Sequence, residues 1–472
     1  MSLKKPRKKC VLINLRPSSV ILLAIFFLTA FTGCQRSSSL SGKYKDHNLV
    51  LLVLDTLRAD HLSSYGYFRS TSPNLDEFSR NAIKFNNTYA QIPITLPSHA
   101  SMFTGLYPQN ARALRNIDFV PDENLTIAEI LKKAGYKTAA VVSTAVLKSN
   151  KNLTQGFDKY FENFNLRESE KKWEAKGVAE DANNMAFQWL EQNQGEKFFL
   201  FINYYDIHWP YIEQQGFSNK FEKDSDELMF HLEERWTEIP QPQWKVDKIT
   251  NYDRSLAYTD FHIQQLFQKL EEMNLSRNTI LMVTSDHGNG LFQHHDYWSH
   301  GNILYKEQVH IPLILKLPDM NKGLEIDRIV EIVDFFPTLL DLLGVKPGNQ
   351  IDGFSVIPLI EGKDWEKPNL AFSLRKLYDN DNHPLPRQIG VITPETHLIL
   401  TVNKTGNYFD WLRDPYEKND LYNSESDYIQ SSIAARSRDG LSWLQRNNIK
   451  KTTSVPLDEK TLEELRALGY IK

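Results

Sequence analysis

The chain has 472 residues, of which 41% are hydrophobic and 12% aromatic, so it can bury the core of one large globular unit with a small accessory domain. The net charge of −4 is close to neutral for this length and does not indicate a nucleic-acid-binding surface. The two cysteines, Cys10 and Cys34, lie near the start of the chain, which excludes disulfides, a cysteine zinc site and a thiol nucleophile from the body of the protein.

Residues 1–33 have the organisation of a signal peptide. Basic residues between Lys4 and Lys9 precede an apolar run over 20–31, which is shorter than the roughly 20 residues of a membrane span. The run ends in Phe-Thr-Gly-Cys, which resembles a bacterial lipobox. We predict that Cys34 is lipidated and that 34–46 is a polar tether; an ordinary signal peptide or an uncleaved anchor are the alternatives. The prediction gives a lipoprotein of the bacterial cell envelope, anchored to the membrane and facing the periplasm or the outside.

Apolar runs alternate with amphipathic segments along most of the chain. Strands are predicted over 47–54, 138–142, 198–203, 279–284 and 311–315, and helices over 75–81, 126–134, 178–192 and 252–273. This alternation predicts an α/β fold with a doubly wound, mostly parallel sheet flanked by helices. Ligands in such folds bind at the carboxyl ends of the strands.

The remaining segments have other patterns. Residues 214–248, rich in aromatic and charged side chains, are interpreted as a substrate-side loop or, equally, as a plain surface excursion. After residue 352 the pattern changes to short alternating strands, followed by two predicted surface helices. The strands cover 371–375, 388–393, 396–402 and 408–412, and the helices cover 428–446 and 457–468.

Polar motifs follow two of the apolar strands. Asp55 comes directly after the first, and Asp286, His287 and Gly288 come directly after another. A carboxylate at the end of a buried strand is unfavourable unless it is paired or binds a metal. Each motif alone also fits a turn, but together they predict a cation site, with Gly288 relieving the tight turn.

Residues 95–105 predict a short helix with a hydroxyl group at its start. Pro97 suits a first helical turn and Gly105 suits a C-terminal cap. Thr95 is expected just ahead of this helix, where unpaired N–H groups and the helix dipole favour an anion. The alternative is that Thr95 only caps the helix.

The same segment resembles the signature of the sulfatases, which reads Cys or Ser, any residue, Pro-Ser-Arg, and then a short helix ending in Thr-Gly. In that family the first residue is oxidised to formylglycine. Thr95 stands at this position, and a secondary alcohol cannot become that aldehyde; His99 replaces the arginine. Further segments that resemble the family occur in its order at 72–76, 105–108, 126–129, 134–138, 156–158, 208–211, 305–312, 334–338, 352–353 and 414–421.

The chain is thereby identified as similar to the sulfatase family of the alkaline phosphatase superfamily. The resemblance implies a catalytic domain over 47–345, a C-terminal subdomain with a small antiparallel sheet over 346–425 and C-terminal helices over 426–472. It implies metal ligands at Asp55, Asp286, His287 and Thr95, with Thr95 also the nucleophile. It assigns His208 to catalysis at the leaving group, and His99, Asn116 and His300 to substrate binding. The family's second aspartate is Thr56 here, and the family's lysine and histidine after Gly-Tyr-x-Thr are absent.

Asp, His and alcohol ligands suit Ca²⁺, Mg²⁺, Mn²⁺ or Zn²⁺. Such a divalent metal ion would lower the pKa of the Thr95 hydroxyl, and His208 would protonate the leaving alcohol. These residues predict a metal-dependent hydrolase of sulfate or phosphate esters, acting on a small-molecule, glycan or lipid substrate. The threonine favours phosphate chemistry, whereas the sequence pattern is nearest to sulfatases. A transferase similar to the phosphoethanolamine transferases and a non-catalytic binding protein with the same fold are the alternatives.

Overall fold

The computed structural model describes residues 39–162, 177–235, 242–378, 384–401 and 405–447. The predicted signal peptide, Cys34 and the predicted helix over 457–468 lie outside these ranges. Within them, every helix is too short or too polar to cross a membrane.

The described residues contain fifteen strands and eleven α-helices. The strands are β1 Asn48–Leu54, β2 Ile83–Tyr89, β3 Lys137–Val141, β4 Lys159–Phe161, β5 Phe198–Tyr204, β6 Thr279–Thr284, β7 Gly290–Leu291, β8 Trp298–Ser299, β9 His310–Lys316, β10 Leu324–Ile326, β11 Val330–Glu331, β12 Ala371–Tyr378, β13 Pro384–Ile392, β14 Thr396–Thr401 and β15 Gly406–Asp410. The helices are α1 Pro73–Ser79, α2 Thr95–Thr104, α3 Pro108–Ala111, α4 Ile127–Lys133, α5 Ala179–Asn193, α6 Ser225–Arg235, α7 Gln243–Glu272, α8 Lys306–Val309, α9 Phe335–Leu342, α10 Ile357–Ile360 and α11 Asp427–Arg446.

The central sheet has the strand order β10-β2-β9-β6-β1-β5-β3-β4, with β11 also paired to β2. β1 is parallel to both of its neighbours, β5 and β6. Leu49, Leu51 and Val53 pack into the hydrophobic core on one face of the sheet, and the intervening residues of β1 pack into the core on the other face. This two-sided burial is why β1 reads as a continuous apolar run. The predicted α/β fold with a mostly parallel sheet is confirmed.

Several features of the sheet and its helices differ from the prediction or were missed by it, among them β9, β2 and the start of α7. β9 was predicted as one more core strand of the sheet, but it runs antiparallel to both β2 and β6. β2, which alternates apolar and polar residues, was not predicted as a strand. α7 begins at Gln243, nine residues before the predicted start, and Pro242 precedes it in an extended conformation. The segment 214–248 therefore includes α6 and the start of α7 in addition to loop.

A second, four-stranded antiparallel sheet has the order β12-β13-β14-β15, which confirms the predicted small C-terminal sheet. The predicted helix over 428–446 is α11, and it packs on this sheet. The Trp443 ring stacks on Phe372 with centroids 5.0 Å apart. A Cβ atom at Gly440 would lie 2.9 Å from Val391 Cγ2, so the glycine allows the helix to approach the sheet closely.

A buried ionic cluster joins the C-terminal sheet to the loop between β7 and β8. His294 Nδ1 lies 2.8 Å from Glu307 Oε1, and its Nε2 lies 3.1 Å from the carbonyl oxygen of Glu417. Glu417 Oε1 accepts hydrogen bonds from Trp411 Nε1 at 2.7 Å and from His397 Nδ1 at 2.5 Å. The spacing of His294, Glu307 and Glu417 is short enough for a metal ion. Because protein donors already occupy these oxygens, we interpret the cluster as an ion-pair network.

The network changes how His294 titrates. Burial alone would lower the pKa of His294, but Glu307 and Glu417 outweigh this effect and raise the pKa to about 9. Glu417 responds in the opposite direction: although burial opposes ionisation, His397 and His294 lower the pKa of its carboxyl group. The charged form of the cluster is therefore the stable one at neutral pH.

This network predicts a loss of stability at alkaline pH. The pKa of folded His294 lies above its ordinary value of about 6.5, so its stabilisation is complete below that pH and is lost as the pH rises through about 9. The shift corresponds to a contribution on the order of 3 kcal/mol. We expect the free energy of unfolding of the wild type to fall between pH 6.5 and 9.5 by more than that of His294→Gln, measured by urea denaturation.

His295→Gln is the matched control, because the His295 ring bonds to the Tyr305 hydroxyl at 3.0 Å and, among the described residues, to no carboxylate. Equal pH slopes for the wild type and His294→Gln would contradict the assignment.

Candidate active site

Two buried carboxylates meet at the carboxyl ends of neighbouring strands. In the parallel pairing of β1 and β6, Val53 lies opposite Thr284, and the same register carried two residues further places Asp55 opposite Asp286. His287 follows, and ligand atoms of Asp55, Asp286 and His287 all lie within 4.8 Å of one another. All three side chains are fully buried. The structure thus brings the three predicted ligands together.

Backbone N–H groups orient Asp286. Its Oδ1 accepts hydrogen bonds from the N–H groups of Thr56 at 3.1 Å and of His287 at 2.9 Å. Its Oδ2 is buried and accepts no hydrogen bond from any described residue. Burial raises the pKa of Asp286. An oxygen held in this way needs a cation or a proton.

His287 directs its Nε2 atom to the same point, 3.3 Å from Asp286 Oδ2. Its Nδ1 lies 2.9 Å from the carbonyl oxygen of Gly288, which assigns the ring proton to Nδ1. Burial lowers the pKa of His287 to about 4, so the ring is neutral at physiological pH. A neutral imidazole whose other nitrogen donates to a carbonyl is the usual form of a metal ligand.

Gly288 has no steric room for a side chain. A Cβ atom there would collide with the carbonyl oxygen of Glu307, and the Gly288 N–H donates to the carbonyl oxygen of Gln308 at 2.9 Å. The chain after His287 therefore packs directly against the backbone that leads into β9. The glycine predicted to relieve a tight turn instead permits this backbone contact.

Thr56, which replaces the second aspartate of the sulfatase pattern, acts through its backbone. Its φ angle of 60° is in the left-handed region, which is uncommon for a β-branched residue. Its hydroxyl donates to the carbonyl oxygen of Asp55 at 2.7 Å, and the Tyr252 hydroxyl donates to the Thr56 carbonyl at 2.9 Å. These contacts hold the Thr56 N–H toward Asp286. The sequence offered no signal for this role, because it depends on the φ angle.

Thr95 is the first residue of α2 and is fully buried. It was expected just ahead of the helix. Its Oγ1 lies 3.3 Å from His287 Nε2, so the hydroxyl adjoins the predicted metal ligands. Gly105 ends the helix with a φ angle of 66°, as predicted.

Asn116 and His99 support this helix. Asn116 Oδ1 accepts a hydrogen bond from the Leu96 N–H at 3.0 Å, which satisfies one unpaired donor of the first helical turn. His99 is fully buried, and its Nδ1 lies 2.8 Å from the Thr95 carbonyl oxygen and 3.8 Å from Asp286 Oδ2. The contacts of both residues thus position Thr95 and the carboxylate. Substrate binding by His99 and Asn116 stays a prediction.

His208 and His300 form a pair beside this cluster. Their Nε2 atoms lie 3.1 Å apart, and the His300 ring lies 4.3 Å from the His287 ring. His300 Nδ1 lies 3.1 Å from the carbonyl oxygen of Pro93, and His208 Nδ1 makes a short hydrogen bond to the carbonyl oxygen of Trp209. Burial and the neighbouring His287 lower the pKa of His300 to about 3. A continuous row of side chains therefore runs from Thr95 through His287 and His300 to His208.

Known proteins are similar to this chain in sequence and in fold. A family model described as Sulfatase matches residues 47–345, and a model of the C-terminal part of N-sulphoglucosamine sulphohydrolase matches residues 294–441. An ulvan-active sulfatase of Formosa agariphila is 24% identical over 419 residues, which is 82% of this chain and 80% of the relative.

Solved structures agree with the fold. A phosphonate monoester hydrolase of Agrobacterium radiobacter superposes with a TM-score of 0.69 at 17% identity, covering 88% of this chain and 98% of that one. A structure in complex with its substrate D-glucosamine-2-N,6-O-disulfate superposes with a TM-score of 0.67 at 20% identity, covering 85% and 99%. Since the Sulfatase model spans well over half of the sequence, the chain belongs to the sulfatase family of ester hydrolases.

Proposed function

We propose that this protein hydrolyses sulfate or phosphate esters with Thr95 as the nucleophile beside a divalent cation. The observation that carries the proposal is the position of the Thr95 hydroxyl, 3.3 Å from His287 Nε2, within the cluster of Asp55, Asp286 and His287. This hydroxyl also stands at the start of α2, where the helix dipole and N–H groups favour the negative charge of an ester substrate.

The donor set fits a divalent metal ion, which members of the sulfatase family generally use. Asp286 Oδ2 and His287 Nε2 are both buried and lie 3.3 Å apart, and Oδ2 accepts no hydrogen bond from any described residue. Asp55, Asp286, His287 and Thr95 would hold the ion. When bound, it would lower the pKa of the Thr95 hydroxyl and screen the charge of the substrate. Ca²⁺, Mg²⁺, Mn²⁺ and Zn²⁺ all suit these ligands.

Thr95 then attacks the phosphorus or sulfur in line with the leaving oxygen. Its hydroxyl gives its proton to water as the bond from Oγ1 forms. The bond to the leaving oxygen breaks, the leaving alcohol takes a proton from His208, and an ester remains on Thr95. Water must hydrolyse this ester in a second step, because threonine cannot expel the group by forming an aldehyde. This requirement favours phosphate over sulfate chemistry. Names of the relatives support both, since they include sulfatases and a phosphonate monoester hydrolase.

His208 is the best-supported proton donor for the leaving oxygen. The Nδ1 atom of His300 faces a carbonyl oxygen, so the neutral His300 ring carries its proton there and its Nε2 must accept. Both ring nitrogens of His208 then face acceptors, the Trp209 carbonyl and His300 Nε2. This bonding pattern is satisfied when His208 is doubly protonated, which is the form that a general acid needs.

The first prediction of this function concerns the metal. Asp286→Asn keeps the size of the side chain but removes its charge, so we expect the variant to lose bound metal and activity together. Elemental analysis measures the metal content. Added metal should raise the melting temperature of the wild type but not that of the variant. Asp247→Asn, an exposed position in α7, is the control. Full metal content in a folded Asp286→Asn protein would exclude Asp286 as a ligand.

The second prediction concerns Thr95. Thr95→Ala should fold, keep its metal and lose about 10²-fold or more of kcat, because water must replace a positioned group. Thr95→Ser should retain part of the activity on 4-nitrophenyl phosphate. Thr104→Ala is the control at the other end of α2, where the hydroxyl donates to the Ala100 carbonyl and accepts from the Leu106 N–H, away from the cluster.

Two results would contradict this reading. Near wild-type turnover by Thr95→Ala would exclude the threonine as nucleophile. Faster hydrolysis of aryl sulfates than of phosphate mono- and diesters by the wild type would reverse the preference for phosphate.

We also propose that the protein is anchored to the outer side of a bacterial membrane through Cys34. The support is the sequence of the leader alone. We expect Cys34→Ser to move the protein from the membrane fraction to the soluble fraction, and mass spectrometry should find lipid on Cys34 of the wild type. Wholly membrane-bound Cys34→Ser protein, together with unmodified Cys34, would exclude this anchor.

A further inference from the structure

Lys248, in the second turn of α7, lies among three aromatic rings. Its Nζ is 4.8 Å from the ring centroid of Trp298, 5.4 Å from that of Trp244 and 5.7 Å from that of Phe292. Phe292 stacks on Trp298 with centroids 4.8 Å apart, and Trp244 meets Phe292 edge-on at 5.3 Å. We name these four residues the Lys248 cage.

The charge of Lys248 has no anionic partner among the described residues. The neighbouring Lys245, in contrast, forms an ion pair with Asp296. Burial lowers the pKa of Lys248, and no carboxylate opposes this effect. The aromatic faces attract the ammonium group and fix its place, but they do not neutralise it. A positive charge that is fixed, partly desolvated and uncompensated is suited to bind an anion.

The cage adjoins the active site through two short connections. Trp298 precedes His300 by two residues, and the His300 ring lies 4.3 Å from that of His287. On the other side, Tyr211 follows His208 by three residues, and its ring meets Trp298 edge-on at 5.9 Å. His300 and His208 are therefore each within three residues of an aromatic side chain that belongs to the Lys248 cage or contacts it.

We propose that the Lys248 cage is a specificity subsite that binds a second anionic group of the substrate, a sulfate or a carboxylate, beside the ester that is cleaved. This inference rests on the proposed function. Lys248 supplies the charge, and Trp244, which is 50% exposed, offers a face on which a sugar ring can stack. The substrate class that fits is a glycan with two or more anionic groups, rather than a simple monoester.

The test is a comparison of ligands that differ by one anionic group. Calorimetry on the metal-loaded Thr95→Ala protein gives the dissociation constants without turnover. One pair is glucosamine 6-sulfate and glucosamine-2-N,6-O-disulfate, which adds a sulfate. The other pair is N-acetylgalactosamine 6-sulfate and the unsaturated chondroitin 6-sulfate disaccharide, which adds a uronic acid residue with one carboxylate; the part of its gain that Lys248→Gln removes is the part due to the carboxylate. We expect the second anion to tighten binding about fivefold in at least one pair, as for a partly exposed ion pair.

Variants of Lys248 in the same background decide its role. Lys248→Gln should abolish the preference, and Lys248→Arg should keep it. Lys269→Gln, in the same helix but paired with Glu191 at 2.5 Å, should leave it unchanged. Equal affinities within both pairs, absent binding, or a preference that survives in Lys248→Gln would overturn the subsite.

Turnover by the wild type is scored separately. A protein that shows the preference but hydrolyses neither the 4-nitrophenyl esters of phosphate and sulfate nor any of the four sugar ligands would refute the proposed function and not the subsite. A protein that hydrolyses these esters without any preference would refute the subsite alone.

Discussion

The burial of two carboxylates at one point of the sheet edge is the constraint on which the site depends. Asp55 and Asp286 are both fully buried, and the parallel register of β1 and β6 brings them together. An unpaired buried carboxylate is strongly unfavourable, so the fold needs compensating positive charge there. Two N–H groups supply part of it to Asp286 Oδ1. His287 beside them is neutral because burial lowers its pKa, so it supplies no positive charge of its own.

Hydrogen bonds to the backbone also fix the position of Thr95. Asn116 binds the Leu96 N–H, and His99 binds the Thr95 carbonyl, so both flanks of the first turn of α2 are fixed. In the sulfatase pattern an arginine stands in place of His99. The shorter histidine reaches the Thr95 carbonyl and comes within 3.8 Å of Asp286 Oδ2. These two departures from the sulfatase pattern, Thr95 and His99, thus lie in the first two turns of α2.

Much of the fold follows from the sequence because its strands are buried on both faces. β1, β5 and β6 were predicted within one residue at each end, and a continuous apolar run carries that signal. β2 was missed because its polar residues interrupt the run. The direction of β9 could not be predicted, because strand direction depends on the path of the connection and not on composition. α7 was predicted late because its first turns, which contain Trp244 and Lys248, have few apolar residues.

In the candidate active site, too, some residues could be predicted from the sequence and others could not. Residues that follow a predicted strand, such as Asp55 and Asp286, could be found by position alone. The N–H contact of Thr56 depends on a positive φ angle, and the placement of Lys248 depends on the packing of α7 against the loop that carries Trp298. Neither leaves a pattern in the sequence. Contacts between segments that are distant in the sequence could not be predicted from either segment alone.

The contact of Gly288 with the backbone of Glu307 has a practical consequence for protein engineering. Libraries that aim to change the ester specificity would naturally randomise the residues around His287. At position 288 every substituent would push the segment leading into β9 away from the sheet, and α8 with it. Nearly all variants of such a library that carry a substitution at position 288 would misfold. Variation is better placed in the first two turns of α7, where several side chains are exposed and the backbone is already a regular helix.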